Sequence, residues 1–161
     1  MKTLKSIFVT FGVVVLGWLS IASIIQFERN IGIPRIVSSV VIVMGVAMLV
    51  GGIAVRGWAA HVFYAHKLKV VALKPQTVLL IDGPFHFSRN PLILGIITIV
   101  LGVALINGSW GGIILFVAIF LFWDYWIRHV EERELEKKFG EEYRQYKKTV
   151  PRWVGFQSKH T

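Results

Sequence analysis

Long apolar runs constrain this chain more than any other feature. They lie at residues 7–25, 36–55, 91–106 and 110–127, and 55% of the whole chain is hydrophobic. A helix needs about 20 apolar residues to cross about 30 Å of hydrocarbon, and such runs are unusual in a soluble domain of this size. We therefore predict an all-α integral-membrane protein with about four transmembrane helices. The whole chain, 1–161, is then a single membrane domain with a cytoplasmic C-terminal helical segment.

The first run has an alternative interpretation as a signal peptide. Lys2 and Lys5 precede it, and Ser20-Ile21-Ala22 resembles a cleavage site. The run is long for the core of a signal peptide, and three more runs follow it. We therefore interpret it as a retained membrane helix.

Small residues and aromatics give the next segments different expected roles. Gly45, Ala47, Gly51 and Gly52 lie in the second run, and small residues let another membrane helix approach closely, so we predict helix packing there. Residues 56–80 mix aromatic and basic side chains, which is typical of an interfacial, partly helical segment. Two histidines in this segment are five residues apart, which is poor spacing for one helix face, and we expect no metal site.

A polar stretch, residues 82–95, separates the apolar halves and is called the hinge below. Asp82-Gly83-Pro84 is typical of a turn, because glycine tolerates positive φ and proline fixes φ. Asn90-Pro91 predicts a helix start, with Asn90 as N-cap. Arg89 is then expected beside a positive helix end, a place that suits an anion or the polar groups of a cofactor.

The second half of the chain predicts a helical hairpin with a polar extension. Residues 107–109, Asn-Gly-Ser, form a short connection between the third and fourth runs, so these helices are antiparallel neighbours. Asp124, Arg128 and Glu132 follow at spacings of four, which predicts a helix that continues past the bilayer with these side chains on one face. Pro151 ends the charged segment that follows Gly140.

The basic residues predict the orientation of the chain. With four spans, sixteen of the 18 lysines and arginines lie on one side of the membrane and two on the other. The positive-inside rule then places both termini and the hinge in the cytoplasm of a multi-pass protein. The net charge of +9 is explained by cytoplasmic ends and anionic headgroups, so we expect the membrane and no nucleic acid as a partner. The chain has no cysteine, which excludes thiol chemistry.

Two blocks of residues resemble one family of integral-membrane methyltransferases. The hinge is similar to the family signature Gly-Pro-Tyr-Arg-Tyr-x-Arg-His-Pro-x-Tyr-x-Gly. The second block, at 131–152, is similar to the family's Glu-Glu, Phe-Gly-x-x-Tyr-x-x-Tyr and basic stretch. The resemblance covers roughly residues 75–153. The family includes isoprenylcysteine carboxyl methyltransferases and phospholipid methyltransferases.

The resemblance implies methyl transfer from S-adenosyl-L-methionine to a lipid-like or isoprenyl-cysteine-like membrane substrate, with carboxyl O-methylation favoured over amine N-methylation. The amino group and ribose of that cofactor need carboxylate acceptors, and its carboxylate needs arginine or free N–H groups. Adenine would find aromatic walls in Phe85, Phe87, Trp126 or Tyr143. The residues expected in catalysis are Arg89 and Asn90; those expected to bind the cofactor are His86, Arg89, Asn90, Pro91, Leu94, Glu131, Glu132 and Tyr143; those expected to bind the substrate are Arg128, Tyr146 and Arg152.

Three positions depart from the family signature. Asn90 stands for its histidine, Ile93 for the following tyrosine and His86 for an arginine. Asparagine cannot titrate, so a scheme that uses the family histidine as a base does not apply to this chain. These changes bear on the identity of the substrate.

Two other functions are consistent with the same blocks. Membrane sterol reductases have similar C-terminal helices, but a dinucleotide brings more phosphates and calls for more basic residues near Arg89 than the hinge holds. A non-catalytic membrane protein with the same fold is the other alternative. The presence of Arg89 and Glu131 favours an enzyme over it.

Overall fold

The structure, a computed structural model, describes residues 19–36, 38–66 and 78–154, and all regular structure in these ranges is helical. Residues 19–30 belong to helix α1. The elements that follow are α2 (Ser39–Ala65), a 3-10 turn (Gly83–His86), α3 (Pro91–Asn107), α4 (Trp110–Trp126), a π-helical turn (Ile127–Glu131), α5 (Glu132–Phe139) and α6 (Glu141–Thr149). The all-α prediction is confirmed for the described part of the chain.

Two helices in the described ranges are long and apolar enough to cross a membrane. They are α2 and the continuous helix Trp110–Phe139, which joins α4 and α5 through the π turn. Helix α3 is apolar but has 17 residues, about 25 Å at 1.5 Å per residue. Most of the first predicted span, 7–25, lies outside the described residues. The four-span topology therefore stays a prediction.

Helix α2 differs from its predicted bounds at both ends. It begins at Ser39, three residues after the predicted start of the run at residue 36. It continues ten residues past Val55 and so includes the first ten residues of the predicted interfacial segment. This outer part has tertiary partners, because Ala59 and Phe63 pack with Leu80 and Phe85 in an apolar cluster. Those contacts keep the helix intact beyond the apolar run.

Helices α2 and α3 cross through paired glycines. A Cβ atom on Gly52 would lie 2.8 Å from the carbonyl oxygen of Gly95, and one on Gly45 would lie 2.9 Å from that of Gly102. The two backbones are thus in direct contact, antiparallel, at two places seven residues apart. The predicted close packing is confirmed for Gly45 and Gly52. Gly51 faces away from α3 and has no other atom near its Cβ position.

The end of the bundle where α3 meets α4 is held together by a buried carboxylate, that of Glu28. Gly108 adopts a left-handed φ of 58° and ends α3, as the predicted tight turn requires. Ser109 then caps α4 by accepting a hydrogen bond from the Gly112 N–H. Glu28 of α1 accepts hydrogen bonds from the Ser109 hydroxyl and the Gly111 N–H. These bonds attach α1 to the start of α4.

The glycine crossing predicts opposite effects for two adjacent substitutions. Gly52→Ala places a methyl group against the α3 backbone and should lower the free energy of unfolding by about 1–3 kcal/mol. Gly51→Ala meets no atom and should be neutral or slightly stabilising, because alanine favours helix over glycine by up to about 1 kcal/mol. Thermal unfolding of the two variants in detergent measures the difference. Equal melting temperatures would contradict the crossing.

Candidate functional site

Polar side chains gather at the end of the bundle where α3 begins. Backbone and side-chain hydrogen bonds join the hinge to residues 151–152 there: the Arg89 N–H donates to the Pro151 carbonyl at 3.0 Å. The Ser88 hydroxyl and the Asn90 side-chain amide both donate to the Arg152 carbonyl, at 3.3 Å and 3.4 Å. The two sequence blocks therefore meet in space. Asn90 does precede Pro91 at the helix start, but its side chain makes no capping bond.

Glu132 is the centre of a buried ion cluster. One of its carboxylate oxygens accepts from Arg89 Nη1 at 2.9 Å and from Arg152 Nε at 2.7 Å. Lys147 lies 3.6 Å from the other oxygen, and the Glu132 side chain is only 7% exposed. Three cations around one buried carboxylate compensate its loss of hydration. This cluster holds α3, α5, α6 and the segment after α6 together.

A π-helical turn precedes Glu132, and the sequence did not predict it. It spans Ile127–Glu131, and such turns add a residue to the helix and occur often at functional sites. Before this turn in the chain, Asp124 pairs with Arg128 at 2.7 Å, so the first half of the predicted charged face is confirmed. After it, Glu132 belongs to the ion cluster, while Glu131, the last residue of the turn, lines a cavity.

The cavity lies beside the ion cluster. Its volume is about 10 Å³, roughly that of one water-sized sphere. Two residues of its wall have polar groups without a partner among the described residues. The buried Nε of Arg89 has no acceptor, and the half-buried Glu131 makes no ion pair or hydrogen bond through its carboxylate. An unpaired acceptor and an unpaired donor therefore share one small space. The full lining is Leu79, Leu80, Phe85, Arg89, Asn90, Ile127, Glu131, Leu135, Tyr143 and Tyr146.

Two tyrosines close the cavity and keep their protons. The Tyr143 hydroxyl accepts from Arg89 Nη1 at 3.4 Å, and burial raises the pKa of Tyr143 to about 12. The Tyr146 hydroxyl donates to the Phe85 carbonyl at 2.6 Å, and burial raises its pKa as well. Both phenols are thus neutral at physiological pH. They can orient other groups but cannot act as bases there.

The structure brings only part of the sequence-predicted set to this cavity. Arg89, Asn90, Glu131, Tyr143 and Tyr146 line it, while Glu132 and Arg152 form the adjoining ion cluster. Pro91 is buried at the start of α3. The other predicted residues lie elsewhere. His86 is exposed, Leu94 lies on α3 outside the lining, and Arg128 is exposed and pairs with Asp124. Phe87 packs against Trp58, and Trp126 stacks on Phe122.

Sequence reasoning identified Phe85 in the apolar part of the lining and missed the other apolar residues. Leu79 and Leu80 come from the segment before the hinge, and nothing local marks them as site residues. Ile127 and Leu135 carried a usable signal, because they lie four residues before and after Glu131. That spacing indicates one face of a helix around a functional carboxylate.

Comparison with known families agrees with this geometry. A family model described as phospholipid methyltransferase matches residues 40–142. The match covers more than half of the chain and includes α2, the hinge, α3 and both glutamates of the second block. The class is thus that of membrane methyltransferases, and the chain belongs to the phospholipid methyltransferase family. No curated protein and no solved structure matches it.

Proposed function

We propose that this protein transfers a methyl group from S-adenosyl-L-methionine to an amphiphile of the membrane. One observation carries the proposal within a methyltransferase family: an unpaired carboxylate, Glu131, and an unpaired guanidinium nitrogen, Arg89 Nε, line the same cavity. The amino-acid part of the cofactor has the complementary pair, an ammonium and a carboxylate. Each protein group thus has a ligand partner of the opposite charge.

The side chains of the lining suit the rest of the cofactor chemically, but the cavity is too small to admit it. Phe85, Tyr143 and Leu135 offer apolar and aromatic surface to an adenine ring. A drug-sized ligand needs about 300 Å³ or more, far above the 10 Å³ of the cavity. Binding therefore requires the walls to separate. Leu79, Leu80, Arg89 and Asn90 are the wall residues outside the helices. Hydrogen bonds hold Arg89 and Asn90 in place, so we propose that the segment of Leu79 and Leu80 moves.

The residues of the chain have a positioning task. When bound, the cofactor supplies an electrophilic methyl group, and the protein must align the acceptor with it and exclude water. Glu132 holds the Arg89 guanidinium in place, and this planar group can donate to an anionic group. Asn90 is neutral, buried and bonded to the Arg152 carbonyl. It supports the hinge and takes no proton.

These roles favour a carboxylate as the methyl acceptor. A carboxylate is already ionised and needs no base, and with Glu131 assigned to the cofactor ammonium no unpaired titratable base lines the described cavity. An amine acceptor is the second candidate. The family description, phospholipid methyltransferase, and the unpaired state of Glu131 favour it, because Glu131 would then receive the amine proton.

The two acceptors predict different pH profiles. For a carboxylate acceptor, turnover should be nearly constant from about pH 6 to 8, because Asn90 does not titrate and Tyr143, with a pKa of about 12, keeps its proton. For an amine acceptor with a titrating base, turnover should rise steeply with pH, since both amine and base must be deprotonated. Rates at saturating cofactor, measured on a farnesyl-cysteine analogue and on phosphatidylethanolamine, separate the two cases. Absence of methyl transfer to both lipids would contradict the proposed function.

The two adjacent glutamates provide the sharpest test of the site. Glu131→Gln should weaken binding of S-adenosylhomocysteine about ten- to hundredfold, the usual cost of a lost charge-assisted hydrogen bond. It should leave the melting temperature unchanged or higher, because it removes a half-buried charge that has no ion pair. Glu132→Gln should instead lower the free energy of unfolding by about 3–5 kcal/mol, since Arg89 and Arg152 lose their shared counter-ion.

Calorimetry and thermal unfolding in detergent measure both quantities. Glu134→Gln, one turn along on the exposed surface of α5, is the control and should change neither. Unchanged affinity in Glu131→Gln would move the cofactor site away from this cavity.

We also propose that four spans place both termini and the site in the cytoplasm. The sixteen-to-two distribution of basic residues supports this orientation. Reporter fusions at Asn107 and at Thr161 should report opposite sides of the membrane. The same side for both would contradict the topology.

A further inference from the structure

One charged residue occupies the packing face of α2. The residues of α2 that meet α3 and the hinge recur every three or four positions: Gly45, Leu49, Gly52, Arg56, Ala59 and Phe63. All are small or apolar except Arg56. A charge inside a candidate membrane span is costly and calls for a stated partner. Arg56 therefore requires an explanation that packing does not give.

Most of the Arg56 guanidinium has no protein partner. Its Nη1 donates to the Leu92 carbonyl at 3.3 Å, and its Cβ lies against α3, since a Cβ on Gly95 would lie 2.7 Å from it. No carboxylate of the described residues pairs with it, and its Nε and Nη2 donate to none of them. The side chain is half-buried. A half-buried cation thus keeps two donor nitrogens that no described residue accepts from.

The depth of Arg56 identifies the anion that can reach it. Seventeen residues separate it from Ser39 at the start of α2, about 26 Å of helix, close to the 30 Å of a hydrocarbon core. Trp58, 49% exposed, lies in the next turn, and exposed tryptophans are enriched at the headgroup interface. Helix α3 begins at the same level, through the bond to Leu92. At this depth the bilayer supplies phosphate groups.

We propose that Arg56 binds the phosphate group of a bilayer phospholipid at the crossing of α2 and α3. The planar fork of arginine matches two phosphate oxygens, and the adjacent apolar faces of α2 and α3 lie beside the acyl chains. This site is distinct from the cavity of Arg89 and Glu131 and does not depend on methyl transfer. Arg56 does not line that cavity, whose wall shares Leu80 and Phe85 with the Ala59 and Phe63 cluster.

Lipid retention by the full-length protein tests the site. The protein is purified in neutral detergent, mixed with dioleoylphosphatidylglycerol or with dioleoylglycerol, and examined by native mass spectrometry. Wild type should retain the phosphate-bearing lipid and not the glycerol lipid with the same chains. Arg56→Gln should reduce retention of the first about ten- to hundredfold. Arg56→Lys, which keeps the charge without the fork, should reduce it several-fold.

Three controls keep the result specific. Arg133→Gln changes an exposed arginine of α5 and should retain lipid like the wild type; an equal loss would show unspecific charge attraction and overturn the site. Millimolar inorganic phosphate should not displace the lipid, and displacement would show a free-anion site instead. Unchanged retention in Arg56→Lys would overturn the two-point contact even if Arg56→Gln fails to fold. The affinity for S-adenosylhomocysteine, measured in parallel, should not change in Arg56→Lys. The lipid test is therefore independent of the proposed methyltransferase activity.

Discussion

A single buried carboxylate joins the hinge to the C-terminal helices of the described structure. Glu132 accepts hydrogen bonds from Arg89 of the hinge and Arg152 after α6, and Lys147 of α6 lies near it. Removal of such charges from water costs several kcal/mol per ion, and their mutual attraction offsets this only when every partner is present. The cluster therefore specifies an arrangement rather than adding much net stability. Glu132 is committed to this task, and its neighbour Glu131 makes no ion pair among the described residues, which is why we propose Glu131 as the cofactor ligand.

The crossing of α2 and α3 sets the frame for this cluster. Glycine pairs bring the backbones together at two points, and close contact of this kind replaces the hydrophobic driving force that helices lack inside a bilayer. The crossing fixes where α3 starts, and with it the position of Arg89. It also leaves Arg56 at the rim of the same helix pair. The positions of Arg56 and Arg89 thus depend on the same helix crossing.

Local signals accounted for what the sequence predicted well. Asn90-Pro91 and Asn107-Gly108-Ser109 define the ends of α3, because proline and left-handed glycine act through their own backbone. The gathering of Arg89, Glu131 and Tyr143 followed from two motifs in a known order. The features missed depend on distant contacts. Helix α2 continues to Ala65 because the hinge packs on it.

The same distinction explains which site residues were placed and which were not. Phe87 and Trp126 have aromatic rings suited to an adenine wall, but each packs against another aromatic ring instead, Trp58 and Phe122 respectively. The bond of Glu28 to the start of α4 joins residues more than 80 positions apart, and no local pattern reports it. Side-chain chemistry can be assigned from the sequence, whereas a partner supplied by another helix cannot.

The π turn has a consequence for the phase of the long helix. In a regular helix, positions eight residues apart are offset by about 80° around the axis. One residue absorbed by a wider turn reduces that offset to about 20° in the opposite sense. Asp124 and Glu132 are such a pair, and Arg152 contacts both, at 3.5 Å and 2.7 Å. The irregular turn thus brings two carboxylates nearly into line along one side of the helix, so that a single guanidinium bridges them.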